Sequence, residues 1–114
     1  MVKEYRLFYA IKSANLDETA RYIAKLLGMD VKLRTGSSGD YATCEGAAAD
    51  RLYIRPRNRN DFPRGIDYKP YDVQLTAINA TGKNSEKEVR HNNLKSKLGK
   101  LSGFLLVTET VVES

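Results

Sequence analysis

The reactive side chains of this sequence are few and lie far apart along the chain. It contains one histidine, His91, and one cysteine, Cys44. A nucleophilic cysteine needs a nearby base and a lowered pKa, and no histidine lies near Cys44 in the sequence. The HxxxH and CxxC spacings of common zinc sites are absent. We therefore expect Cys44 to be a small buried side chain and His91 to face solvent, with no catalytic residue, metal site or cofactor.

Carboxylates that are close together in the sequence have a structural explanation. Asp17 and Glu18 fall in the first turn of a predicted helix, where negative charge complements the helix dipole. Glu86 and Glu88 fall in the first turn of a second predicted helix. No carboxylate pair is left over for acid–base catalysis. The chain is therefore expected not to be an enzyme.

Arginine and aromatic residues alternate in the middle of the chain, in and just before a long basic loop that is predicted from residue 56 to residue 71. Arginine makes paired hydrogen bonds to carboxylates and phosphates, and aromatic faces stack on bases or anchor protein interfaces. The alternative is a solvated loop whose rings pack onto the core. We favour a binding site, made of Arg51, Tyr53, Arg55, Arg57, Arg59, Phe62, Arg64, Tyr68, Lys69 and Tyr71.

A possible second basic surface lies on the second predicted helix. Its residues are Lys87, Arg90, Lys95 and Lys97, and the formal net charge of the chain is +5. If the helix and the loop share a side, they form one positive surface that suits an acidic partner. The alternative is that this modest charge only keeps a small domain in solution.

The first strand and the first helix have the clearest sequence patterns. Aromatic and branched residues alternate with others over residues 4–12, which predicts a strand with Tyr5 and Ile11 on its buried face. Asn15 can cap the following helix, with Glu18 completing a capping box. Gly28 can end that helix in the left-handed conformation.

The rest of the chain predicts further strands and a second helix. Strands are predicted near residues 31–35, 41–44, 51–55, 72–78 and 104–112. Ser85 and Glu88 form a possible capping box for a helix that runs to residue 97 or 100, with Val89, Leu94 and Leu98 as a thin apolar stripe.

The order β-α-β-β-β-β-α-β predicts a single α+β domain over residues 1–114, with a mixed, mainly antiparallel sheet of about six strands. No apolar run reaches the roughly 18 residues that cross a bilayer, so no membrane partner is expected. The N-terminus lacks the apolar stretch of a signal peptide, and one cysteine cannot form an intramolecular disulfide. The cytoplasm is therefore the expected location.

Part of the chain resembles the βαβββ module of the vicinal oxygen chelate superfamily, which includes glyoxalases and bleomycin-resistance proteins. The similar segments are residues 20–31 (ARYIAKLLGMDV), 40–43 (DYAT) and 52–56 (LYIRP). Metal enzymes of that family carry a His, Gln or Glu on the first strand, and the strand from Tyr5 to Ile11 has none. The resemblance therefore implies a metal-free, dimeric protein that binds a small ligand.

Three functions fit these patterns. The first is a non-catalytic binding module, of the inhibitor or immunity-protein type, that occludes an acidic protein partner. The second is nucleic-acid binding through the basic-aromatic loop. The third is sequestration of a small ligand in a homodimer, as the resemblance implies.

Overall fold

The computed structural model describes residues 1–114 and contains one six-stranded sheet with two helices. The elements are β1 (Lys3–Ile11), α1 (Leu16–Leu27), β2 (Asp30–Gly36), β3 (Gly39–Gly46), β4 (Ala49–Pro56), β5 (Val73–Asn79), α2 (Asn84–Leu98) and β6 (Phe104–Glu113), with a 3-10 turn at Arg59–Asp61. The strand order is β2-β3-β4-β5-β1-β6, and every neighbouring pair is antiparallel. The predicted α+β fold and its element order are confirmed.

Both helices cover the same face of the sheet. Helix α1 carries the chain from β1 to the edge strand β2 and packs on β2, β3 and β4. Helix α2 carries it from β5 to the other edge strand, β6, and packs on β1, β4 and β5. Ile23 of α1 and Leu94 of α2 join Leu7, Leu52 and Leu75 of the strands in one hydrophobic core. The opposite face of the sheet, which we call the open face, has no helix over it.

Helix α1 forms as its sequence predicts. The Asn15 side chain accepts a hydrogen bond from the backbone N–H of Glu18 at 2.9 Å, which satisfies one of the free N–H groups of the first turn. Gly28 ends the helix at φ 67°, a conformation that costs a residue with a Cβ more than it costs glycine. The buried residues Ala20, Ile23 and Leu27 follow the helical period and face the sheet.

Helix α2 differs from its prediction at its start and along its buried side. It begins at Asn84 without a side-chain cap, so the Ser85–Glu88 capping box is not formed. Val89, predicted in the apolar stripe, is exposed. The buried residues are Lys87, His91, Leu94 and Leu98. Neither this helix nor α1 has the length and apolar character needed to span a membrane.

Cys44 is buried on the core face of β3, as expected, and its thiol is protected by the fold. Burial raises the pKa of the Cys44 thiol to about 11. Since the thiolate is the reactive form, we predict that a disulfide reagent such as Ellman's reagent will modify native protein at pH 8 no faster than the chain unfolds. The same thiol should react promptly in denaturant. Prompt labelling of the native protein would contradict this placement.

Candidate functional site

The predicted binding residues of β4 lie side by side on the open face. Arg51, Tyr53 and Arg55 alternate with Leu52 and Ile54, which are buried in the core on the other side. Because the strand has a period of two, the three outward residues share one face. Alternation alone predicted this part of the site.

The segment between β4 and β5 is docked on the open face and is not a free loop. The Phe62 ring packs edge-on against Phe8 of β1, with ring centroids 5.2 Å apart. Gln74 of β5 is 1% exposed, and its side-chain oxygen accepts a hydrogen bond from the Asn58 N–H at 2.8 Å. Its amide nitrogen donates to the Asp61 carboxylate at 2.8 Å. These contacts hold the first half of the segment against β1 and β5.

Arg57 holds the second half of this segment. Its Nη1 donates to the backbone carbonyls of Tyr68, Lys69 and Tyr71, at 3.2–3.3 Å. Its guanidinium carbon lies 5.3 Å from the centre of the Tyr68 ring, and that ring packs 5.9 Å from Phe62. Arg57, Phe62 and Tyr68 thus form the interior of the segment, and their first role is structural.

Four predicted binding residues remain exposed and make no ion pair within the chain: Arg51, Arg59, Arg64 and Lys69. Arg55 is also exposed and lies 3.5 Å from the Asp61 carboxylate. Tyr53 is half-buried, and Tyr71 lies under the Lys12 ammonium at 5.6 Å. Arg51, Tyr53, Arg55, Arg59, Arg64 and Lys69 are called the β4–loop surface below.

An open groove of about 750 Å³ lies at one end of this surface. One wall is the turn between β2 and β3 with Tyr41, and the other is the end of β4 with residues 56–60. Tyr53, Arg55 and Arg59 line it. The first wall was missed from the sequence, although Tyr41 alternates with the buried Ala42 in a way that places it on the open face. Because the groove is open and few of the residues that line it are hydrophobic, it suits side chains of a macromolecular partner better than an enclosed small ligand.

The predicted second basic surface is mostly engaged within the fold. Lys87 is buried and donates to the Lys3 carbonyl, Arg90 contacts the Asp50 carboxylate at 3.3 Å, and Lys95 bonds Glu109 at 2.9 Å. The remaining residue, Lys97, is exposed. Because α2 covers the helix face of the sheet, these residues do not join the β4–loop surface into one positive patch.

His91 was predicted to face solvent, and this prediction is wrong. It is 3% exposed, its Nε2 lies 2.6 Å from the Glu109 carboxylate, and its ring is 5.1 Å from that of Tyr5. Hydrogen bonds from Lys95 and His91 lower the pKa of Glu109. His91 therefore contacts β1 and β6, whereas Cys44 lies on β3 across the sheet. No three His, Cys, Asp or Glu side chains cluster closely enough to hold a metal ion.

The carboxylate that anchors Arg90 provides a test of pH dependence. Burial alone would raise the pKa of Asp50, but hydrogen bonds from the Thr81 and Ala80 N–H groups, with the Arg90 charge, lower it overall. Because the pKa of Asp50 is lower in the folded chain than in the unfolded chain, its ionised carboxylate stabilises the fold at pH values above the unfolded-state pKa of roughly 3.9. This contribution is lost as the pH falls through the folded-state pKa.

We therefore predict that Asp50→Asn lowers the free energy of unfolding by about 1 kcal/mol at pH 7 and by much less near pH 2. Urea unfolding at both pH values measures the difference. The exposed Asp30 has no ion pair or side-chain hydrogen bond, and Asp30→Asn is the matched control. An equal loss for Asp50→Asn at both pH values would contradict the role of this carboxylate.

The chemical character of the site follows from its side chains. Exposed guanidinium groups surround half-buried tyrosines beside an open groove, an arrangement suited to carboxylate or phosphate groups. No protein-family model matches the chain, and no curated protein matches it in sequence.

Proposed function

We propose that this chain is a non-catalytic binding module that occludes an acidic surface of a protein partner, in the manner of small inhibitor or immunity proteins. The observation that carries the proposal is the β4–loop surface, which presents four exposed cations without an intramolecular carboxylate partner: Arg51 on β4, and Arg59, Arg64 and Lys69 on the docked segment. Guanidinium groups bind carboxylates in a planar, bidentate geometry, so an acidic protein surface is a suitable partner.

The docking of the segment supports this proposal. Ordering a mobile loop on binding costs free energy, and a surface that is already ordered avoids much of that cost. Gln74 and Arg57 fix both halves of the segment before any partner arrives. Arg59 and Arg64 are therefore presented from a backbone that is already held on the sheet.

The arrangement of the aromatic rings favours protein over nucleic acid. Proteins that bind single strands use aromatic faces as stacking platforms for bases. Here Phe62 packs against Phe8 and Tyr68, and Tyr68 packs against Arg57, so these rings are occupied within the chain. Small-ligand binding between two copies, which the family resemblance implies, stays a prediction.

Nucleic-acid binding remains the second candidate because of one observation on the open face. Tyr41 and Tyr53 are half-buried beside Arg55 and could stack on bases there. This candidate predicts that a labelled single-stranded oligonucleotide binds at low salt and that its affinity falls steeply as salt increases. Fluorescence anisotropy measures both. Absence of binding at low salt would remove this candidate.

The leading proposal is tested by charge reversal with a matched control. Immobilised protein is used to capture partners from the native host, and captured proteins are quantified by mass spectrometry. Arg59→Glu/Arg64→Glu should lose an acidic protein that the unmodified chain retains. Lys97→Glu/Lys100→Glu makes the same change in net charge at exposed sites near the end of α2 and should retain it.

With the purified partner, Arg59→Glu/Arg64→Glu is expected to raise the Kd at least tenfold, about 1.4 kcal/mol or more. Equal weakening by both charge reversals would mean that only net charge matters. Retention of no protein at low or moderate salt would reject the proposal.

A further inference from the structure

The two edges of the sheet are protected differently. The outer strand β2 carries Asp30, Lys32 and Arg34, and charged side chains discourage pairing with other strands. The other edge strand, β6, has ten residues with no lysine, arginine or proline. It also exposes apolar side chains, with Val111 at 44% and Val112 at 45%. Long edges of this kind pair with further strands unless something covers them.

The backbone groups of β6 that are free to pair can be identified from the ladder. Val2 and Ser114 donate backbone hydrogen bonds to each other, both at 2.9 Å. Hydrogen-bonded and non-hydrogen-bonded pairs alternate along an antiparallel ladder, so Thr110 also directs its N–H and C=O toward β1. Glu109 and Val111, on either side of it, direct theirs toward the unpaired edge.

From these features we propose that β6 pairs with β6 of a second copy of this chain, antiparallel and about a twofold axis at Thr110. The β6 bulge lies opposite Phe8 and Tyr9, so the strand is regular from Thr108 onward. For the outward N–H and C=O groups of the two strands to face each other, the twofold axis must pass midway between the two copies of one residue, which is called the centre below. Over the regular part of β6, from Thr108 to Glu113, this leaves centres at Glu109, Thr110, Val111 or Val112.

Charge selects between these centres. An axis at Glu109 places that carboxylate opposite its own copy, and an axis at Val111 places it opposite Glu113 of the second copy. Like charges directly opposite each other destabilise a strand pair. An axis at Thr110 instead places Glu109 opposite Val111, and an axis at Val112 places Glu113 opposite Val111, so neither brings two carboxylates together. The axis at Val112 overlaps only residues 111–113 of the two β6 strands, whereas the axis at Thr110 overlaps residues 107–113 and is therefore favoured.

The Thr110 register has two structural consequences. Glu109 and Val111 exchange backbone hydrogen bonds across the axis, while Thr108 lies opposite Val112 on the open face. The axis is perpendicular to the sheet, so the two sheets join into one with both open faces on the same side. Each dimer would therefore present two β4–loop surfaces in one direction, and a partner with two acidic sites would gain avidity.

Cysteine cross-linking tests the register. In this register the two copies of residue 110 form a non-hydrogen-bonded pair with Cα atoms roughly 4.5 Å apart, within the range that a disulfide can bridge. Thr110→Cys should therefore give a covalent dimer under mild oxidation. Val112→Cys is the matched control and should not, because residue 112 lies opposite residue 108. The native Cys44 is buried and should not contribute. Equal cross-linking of the two variants, or none for Thr110→Cys, would overturn the proposal.

Sedimentation of the unmodified chain and of Val111→Pro tests the association itself. The unmodified chain should shift from monomer to dimer as its concentration rises from sub-micromolar to millimolar. Val111→Pro removes an outward N–H that bonds nothing within the chain, so it should stay monomeric with an unchanged circular dichroism spectrum. A strict monomer for the unmodified chain, or a folded proline variant that still dimerises, would overturn the proposal. Capture of a protein partner by the monomeric Val111→Pro variant tests the β4–loop surface independently of the dimer.

Discussion

Replacing Lys87 with alanine is expected to lower the free energy of unfolding by roughly 3–4 kcal/mol, a large share of the stability of a domain of this size. Lys87 is 2% exposed, and its Nζ donates to the Lys3 carbonyl at 2.7 Å and to the Asn84 side chain at 3.3 Å. Asn84 in turn accepts from the Lys3 N–H. This group ties the first turn of α2 to the start of β1.

The loss has two physical sources. Alanine removes buried methylene groups, each worth about 0.8 kcal/mol. It also leaves the Lys3 carbonyl without its charged donor, and hydrogen bonds to charged groups contribute about 1.5–3 kcal/mol. Lys87→Met keeps most of the apolar stem and should recover about half of the loss. The comparison of the two variants therefore separates packing from hydrogen bonding.

Chemical denaturation of both variants measures these effects. The exposed Lys97 on the same helix is the control, and Lys97→Ala should change stability by less than about 0.5 kcal/mol. A loss below about 1 kcal/mol for Lys87→Ala would mean that water replaces the ammonium at little cost. That outcome would contradict the burial of this lysine.

The contrast between the two helices explains how far the sequence could predict the fold. The buried side of α1 consists mostly of apolar residues at helical spacing, so its sequence alone indicates which face meets the sheet. The buried side of α2 keeps the same spacing but places Lys87 and His91 at two positions. Their partners, Lys3 and Glu109, are distant in sequence. No local pattern marks these two residues as buried.

The candidate binding site divides in the same way. Alternation along β4 was sufficient to predict that Arg51, Tyr53 and Arg55 share a face, because a strand has only two sides. The conformation of residues 57–72 was not predictable. It depends on Gln74 and Phe8, which are brought beneath the segment only when β5 pairs with β1. Sequence therefore identified the cations but not which of them stay free.

The docking of this segment leads to the second large prediction. Gln74→Met is expected to lower the free energy of unfolding by about 2–3 kcal/mol and to release residues 57–72 from the open face. Methionine has a similar length but cannot bond the Asn58 N–H or the Asp61 carboxylate. The part-buried Asn58 N–H would lose its partner, which carries a desolvation cost of its own.

Trypsin gives a direct measure of this release because the segment contains three of its target residues, Arg57, Arg59 and Arg64, none of which is followed by proline. Cleavage within the segment should be faster in Gln74→Met than in the unmodified chain, while the core strands stay resistant under native conditions. Thr76→Val, on the same strand, removes no hydrogen bond from the segment and should leave the cleavage rate unchanged. If Gln74→Met loses stability but the segment is cut no faster, Phe62 and Arg57 alone suffice to hold it. If cleavage is faster, the binding of Gln74→Met to the protein partner can be compared with that of the unmodified chain. Every cation is still present in this variant, so weaker binding would show that the order of the segment contributes to affinity.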